Sequence, residues 1–144
     1  MNQQPVEVTL VGFFTDWTKF RDENQERLKN LPQHYTQYDI HMAWEVKSAG
    51  PDTVITGVVK NVRYAWVEGL EVWAARLDAS GRPGASAACF IVPHQLRQDQ
   101  LAAFDLRLPG LARPGTQLRL SYKYQNTEDG GGNRQSFDVE VTGT

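Results

Sequence analysis

Cysteine is almost absent from this chain of 144 residues, since Cys89 is its single copy. One cysteine excludes an internal disulfide and every metal site that is built from several thiolates. Its sequence neighbours on both sides are apolar. We therefore expect Cys89 to be a small buried hydrophobe and not a reactive thiol.

Long apolar runs and concentrated positive charge are also missing. No stretch is long and apolar enough to cross a bilayer as a helix. The 15 basic residues are scattered among 17 acidic ones, which gives a net charge of −2. Nucleic acids and anionic membranes are recognised through clustered cations, so we expect neither as a partner.

Met1–Pro5 has neither the basic residue nor the apolar core of a signal peptide. A periplasmic or cell-envelope location is therefore expected only if an upstream signal peptide is removed.

Catalytic and cofactor motifs are missing as well. There is no Gly-x-Ser-x-Gly elbow and no glycine-rich phosphate loop. His34, His41 and His94 lie far apart without ligand spacing, so we expect solvated or turn histidines. We predict a non-enzyme with no catalytic residue, metal or cofactor. A hydrolase stays an alternative only if two carboxylates face each other across a cleft.

The chain is instead rich in two-residue alternation of apolar and polar side chains. This pattern is clear in four segments, 38–47, 104–108, 118–124 and 137–142. In the first of them, the pattern assigns Tyr38 and Trp44 to the apolar face and Asp39 to the solvent-exposed face. Half-buried strands of this kind are typical of antiparallel sheets. Less regular strands are predicted at 6–14, 54–61, 70–77 and 85–92, and Trp73 is expected in the core.

One segment has a helical pattern. Residues 16–31 contain no glycine or proline, and Pro32 follows. One face of this helix would carry Trp17, Phe20, Asn24, Leu28 and Leu31. The predicted fold is mainly β: an antiparallel immunoglobulin-like β-sandwich of about seven to eight strands with one N-terminal amphipathic helix. We expect a single domain over 1–144, with 1–37 a strand-plus-helix decoration and 38–144 the sandwich body.

Several strand and turn motifs occur in a familiar order. The segment Ile55-Thr56-Gly57-Val58-Val59-Lys60-Asn61 precedes Leu77-Asp78-Ala79-Ser80-Gly81, and a later strand contains Phe104. Gly57 indicates a bulge or a close backbone approach, and Asn61 and Asp78 indicate turns. Over about residues 44–141 the order resembles FxLYD-type β-sandwich domains of bacterial envelope proteins. The resemblance implies an extracytoplasmic adhesion or assembly module without catalysis.

The strongest candidate for a contact surface is the loop that contains Arg63, Tyr64 and Trp66. Aromatic side chains beside an arginine can anchor a protein partner or stack on a sugar. The alternative is that Trp66 folds back over the end of the sandwich. We predict a non-enzymatic binding or assembly module of a bacterial cell envelope, which acts on an unknown protein partner. The alternative is a carbohydrate-binding β-sandwich that uses the loop aromatics.

Overall fold

The computed structural model describes residues 19–128 and 132–142. The predicted strand at 6–14 and Trp17 lie outside these residues. In the described part, helix α1 covers residues 19–30. The nine strands are β1 (Gln33–Gln37), β2 (Ile40–Ala49), β3 (Asp52–Asn61), β4 (Val67–Leu77), β5 (Pro83–Phe90), β6 (Gln95–Leu96), β7 (Leu101–Pro109), β8 (Gln117–Asn126) and β9 (Gly132–Glu140).

The strands form two antiparallel sheets that pack face to face. The first has the order β1-β2-β3-β7, and the second has the order β5-β4-β8-β9, with the short β6 also paired to β4. The predicted immunoglobulin-like β-sandwich is confirmed. The largest fully buried side chains lie between the sheets and come mostly from the alternating segments: Trp44, Tyr122, Ile40, Met42, Ile55, Leu96, Leu106, Leu108, Leu118 and Leu120.

Helix α1 covers part of the outer face of the first sheet. Leu28 of the helix is buried with Ala43 and Val58, which are register partners on β2 and β3. The predicted helix is thus confirmed over 19–30, and Leu28 belongs to its buried stripe as expected. Phe20 is exposed instead. Ala43 was expected on the solvent-exposed face of the strand, but it is buried because helix α1 packs on that face.

Three other residues lie in surroundings that differ from the expected ones. Strand β2 begins only at Ile40, and Tyr38 has a left-handed backbone with φ of 54°. The turn at 38–39 exposes Tyr38 and buries Asp39 completely, the reverse of the expectation. Trp73 is a register partner of Ser121 on the outer face of the second sheet and is only half-buried. Its predicted place in the core is wrong, because β4 carries apolar residues on both faces.

Gly57 in β3 and Gly69 in β4 have different structural roles. Gly57 lies in a regular register between Trp44 and Phe104, and a Cβ there would come within 2.3 Å of the Ala43 carbonyl oxygen. It therefore permits a close approach without a bulge. Strand β4 is irregular instead: its register with β8 shifts between Glu68 and Glu71, and its register with β5 shifts between Ala75 and Leu77. Gly69, in the first of these two intervals, has φ of +63°.

The predicted turn residues make the expected local hydrogen bonds. Asn61 Oδ1 accepts a hydrogen bond from the Arg63 backbone N–H at 3.0 Å. Asp78 Oδ1 accepts hydrogen bonds from the backbone N–H groups of Ser80 and Arg82, both at 2.9 Å. Cys89 on β5 is only partly buried and packs against the core. No helix in the described ranges is long and apolar enough to span a membrane.

Candidate functional site

Three chain segments meet at the end of the sandwich where β3 ends and β4 begins. They are the turn at 38–39, the loop at 62–66 and residues 127–128 after β8. The Val62 N–H donates to the Asp39 carbonyl at 2.9 Å. The Trp66 N–H donates to Thr127 Oγ1 at 3.0 Å, and the Thr127 N–H donates back to the Trp66 carbonyl at 3.0 Å. The loop is therefore fastened to both sheets.

The buried carboxylate of Asp39 is the centre of this end. Its Oδ2 accepts hydrogen bonds from the Tyr124 hydroxyl at 2.5 Å and from Asn126 Nδ2 at 3.2 Å. Its Oδ1 lies 3.3 Å from Arg63 Nε, and the Asp39 side chain is 1% exposed. Burial, together with the hydrogen bond to Asp39, raises the pKa of Tyr124 above its ordinary value. The phenol therefore stays a hydrogen-bond donor to the carboxylate.

Arg63 links this buried carboxylate to the surface. Its Nη2 lies 3.7 Å from Glu128 Oε1, and its guanidinium lies 4.2 Å from the centre of the Tyr38 ring. Glu128 also accepts a hydrogen bond from the Tyr64 hydroxyl. One connected set of contacts thus fixes Tyr38, Arg63 and Tyr64 relative to each other.

The outer rim of this set is aromatic. Tyr64 is 65% exposed and Tyr38 is 60% exposed. Trp66 is half-buried, and the exposed Arg97 places its guanidinium 4.8 Å from the Trp66 ring centre. We call the surface formed by Tyr38, Arg63, Tyr64, Trp66 and Arg97 the aromatic end. Its two tyrosine rings are presented to solvent from a rigid base.

The three residues predicted from sequence therefore differ in role. Tyr64 is exposed as a contact residue would be, whereas Arg63 is held in an ion-pair network and Trp66 partly covers the end of the sandwich. Sequence reasoning missed Tyr38 and Arg97. The signal for Tyr38 is its place directly before an aspartate at the start of a strand, where a turn breaks the alternation.

A concave surface lies on the outer face of the second sheet. This trough has a volume of about 330 Å³, and its lining includes Trp73, Arg119, Ser121, Lys123 and Arg134. The acids beside it are engaged by these cations: Asp138 by Arg119 at 2.8 Å and Glu71 by Lys123 at 3.6 Å. The Arg119 hydrogen bond lowers the pKa of Asp138. The trough combines the Trp73 indole with Arg119 and Lys123, whose charges are already paired.

The histidines are not all separate in space, contrary to what their sequence spacing suggested. His34 Nδ1 lies 3.2 Å from His41 Nε2, with the ring centres 5.4 Å apart. Desolvation, then His34 and Lys60, lowers the pKa of His41. Within 19–128 and 132–142, no group of three or more His, Cys, Asp or Glu side chains is placed to hold a metal ion.

Comparison with known proteins identifies the fold. No family model matches the chain, and no curated protein matches it in sequence. The GAE domain of yeast GGA1 is similar, with a TM-score of 0.55 and 11% identity over 77% of this chain and 98% of that one. The GAE domain of GGA2p from Saccharomyces cerevisiae has a TM-score of 0.56 and 7% identity over 78% and 97%. A Bordetella pertussis protein assigned as ApaA has a TM-score of 0.50 and 15% identity over 76% and 98%.

At these identities the likeness shows the fold alone. In all, 267 solved chains match, so the sandwich is a widely used scaffold. Scaffolds of this kind carry unrelated functions, and the function has to be argued from the site.

Proposed function

We propose that the protein is a non-enzymatic binding module that contacts a protein partner through the aromatic end. The observation that supports this most directly is the pair of exposed rings, Tyr38 and Tyr64, at 60% and 65% exposure. Tyrosine is enriched in protein interfaces because its ring buries a large apolar area while its hydroxyl keeps a polar contact.

Preorganisation is the second support. Arg63 fixes the Tyr38 ring from one side, and Glu128 holds the Tyr64 hydroxyl. A partner that covers these rings would order few additional side chains, so less conformational entropy would oppose binding. Arg63 is itself neutralised by Asp39 and Glu128, which leaves Arg97 as the cation at the rim. Such a surface suits a partner with an apolar centre and a hydrogen-bonding border.

We also propose that the module lies in a bacterial cell envelope, in the periplasm where an upstream signal peptide is removed. The support for this location is the FxLYD-type order of motifs over about residues 44–141. Fractionation of cells that express the native gene would test it. Recovery of the protein only with cytosolic markers would contradict this placement, while leaving the contact surface open.

The contact surface is tested with a photo-cross-linking amino acid placed at position 64 in the native host. We expect a discrete cross-linked protein that is absent when the same residue stands at position 90, where Phe90 is 67% exposed on β5. The captured protein is then purified, and its affinity is measured for the wild type, for Tyr38→Ala/Tyr64→Ala and for the control Phe90→Ala.

The expected result is a loss of affinity of roughly tenfold or more in the double variant, since buried interface tyrosines often contribute 2 kcal/mol or more. Phe90→Ala should bind like the wild type. Full affinity in the double variant, with an unchanged unfolding curve, would disprove the proposed surface. Saturable glycan binding that disappears in Trp66→Ala or Trp73→Ala would instead establish the carbohydrate-binding alternative.

A further inference from the structure

The β1–β2 hairpin places two imidazoles together on the outer face of the first sheet. His34 pairs with Ala43 in the register, and His41 pairs with Thr36, so the two histidines are diagonal neighbours. Their nearest nitrogens, Nδ1 of His34 and Nε2 of His41, are 3.2 Å apart. His34 is exposed and His41 half-buried, which leaves the pair open to solvent on one side.

This spacing suits two nitrogens that bind one metal ion. Zinc–imidazole bonds are about 2.0–2.1 Å long, and at that length nitrogens 3.2 Å apart subtend about 100–106° at the metal, close to the tetrahedral angle. The metal would lie about 1.3 Å off the line between the nitrogens, and both lone pairs would have to turn toward that point.

A cation lies beside the two histidines, and it is itself paired with a carboxylate. Lys60 is the register partner of His41, and its Nζ lies 3.7 Å from Asp99 Oδ1, which offsets part of the repulsion toward a cation. Metal ligation requires a neutral imidazole. Protons compete with the metal for both rings, so binding should weaken as the pH falls.

We propose that His34 and His41 form a two-imidazole site for a borderline divalent transition metal ion, with water completing the coordination. Two nitrogen ligands without a carboxylate favour Cu²⁺ or Zn²⁺ over Mg²⁺ or Ca²⁺, and Cu²⁺ should bind most tightly. The site is separate from the aromatic end and does not depend on the function proposed for that surface.

Titration of the tag-free protein with CuCl₂ and with ZnCl₂, followed by calorimetry, tests the proposal. We expect one equivalent of Cu²⁺ to bind, and a copper EPR spectrum with coupling to two imidazole nitrogens. His34→Gln and His41→Gln should each weaken binding by about tenfold or more, because each removes one of the two protein ligands. His94→Gln is the matched control and should bind like the wild type.

A second variant keeps the test informative if a histidine substitution perturbs the hairpin. Lys60→Gln leaves both imidazoles in place and removes the neighbouring cation, so it should tighten Cu²⁺ binding. Unaltered metal affinity in the His34→Gln/His41→Gln double variant would overturn the proposal. The absence of any binding heat and of any copper–imidazole EPR signal in the wild type would also overturn it.

Discussion

Each end of the sandwich is tied together by one arginine, but the two arginines have different partners. Arg63, at the aromatic end, faces the buried Asp39 carboxylate and also Glu128. Arg76, near the end of β4, reaches the opposite end, where Nη2 donates to Thr53 Oγ1 at 2.8 Å and to the Gly110 carbonyl at 3.1 Å. It also donates to the carbonyls of Pro109 and Leu111, each at 3.2 Å.

The difference in partners determines what is left behind when the arginine is lost. Carbonyl oxygens at the edge of a sheet can turn to water, which replaces most of a lost hydrogen bond. A buried carboxylate has no such replacement and keeps its full charge in a medium of low polarity. The same residue type therefore stabilises the two ends to different degrees.

The largest effect is expected from Arg63→Met, which keeps the apolar stem and removes the charge. Asp39 would keep its hydrogen bonds from Tyr124 and Asn126 but would lose its counter-charge. We expect a loss of about 3 kcal/mol in the free energy of unfolding, measured by urea denaturation.

The matched control for this variant removes the Asp39 charge, which would have lost its partner. Asp39→Asn in the Arg63→Met background should recover a large part of the lost stability, and a double-mutant cycle would isolate the coupling between the two groups. A loss below about 1 kcal/mol in Arg63→Met would mean that the ion pair contributes no more than an exposed one.

A smaller effect is expected from Arg76→Met at the opposite end. The change removes three hydrogen bonds to carbonyls of exposed residues and one to the hydroxyl of the buried Thr53, all of them neutral acceptors, so we expect a loss of about 1–2 kcal/mol by the same measurement. Arg107→Met is the control, because Arg107 forms only an exposed ion pair with Asp52 and should change stability by less than about 1 kcal/mol. An Arg76 variant as damaging as Arg63→Met would remove the contrast between the ends.

The strands and the aromatic end also differ in how well they could be predicted from the sequence. The alternating segments predicted the strands and most of the core, because one face of each strand must be apolar whatever lies beyond it. The same rule placed Asp39 in water and Tyr38 in the core. Strand β2 begins two residues later, and the turn reverses both side chains. Local alternation contains no information about where pairing stops.

Strand pairing explains the other misses. His34 and His41 are separated by a single hairpin, and only its register makes them neighbours. Arg97 meets Trp66 because β6 pairs with β4, and a two-residue strand leaves no periodic signal. Tyr64 was accessible to prediction because a loop between two clear strands is usually at the surface.

The last comparison between the ends concerns their response to alkaline pH. Burial and the hydrogen bond to Asp39 raise the pKa of Tyr124, so the folded protein retains a proton that the unfolded chain releases above about pH 10. The contribution of Tyr124 to the free energy of unfolding is therefore fully present below about pH 10. Above that pH the free energy of unfolding falls, by at most about 1.4 kcal/mol per pH unit for one tyrosine. Tyr122, buried in the core, contributes in the same direction.

Tyr124→Phe should make the decline of the unfolding free energy between pH 9 and 11 shallower. Arg76→Met should lower the unfolding free energy at every pH without changing that slope. Equal slopes in the wild type and in Tyr124→Phe would mean that the Tyr124 phenol ionises as readily in the folded protein as in the unfolded chain, and that the aromatic end has no special sensitivity to alkali.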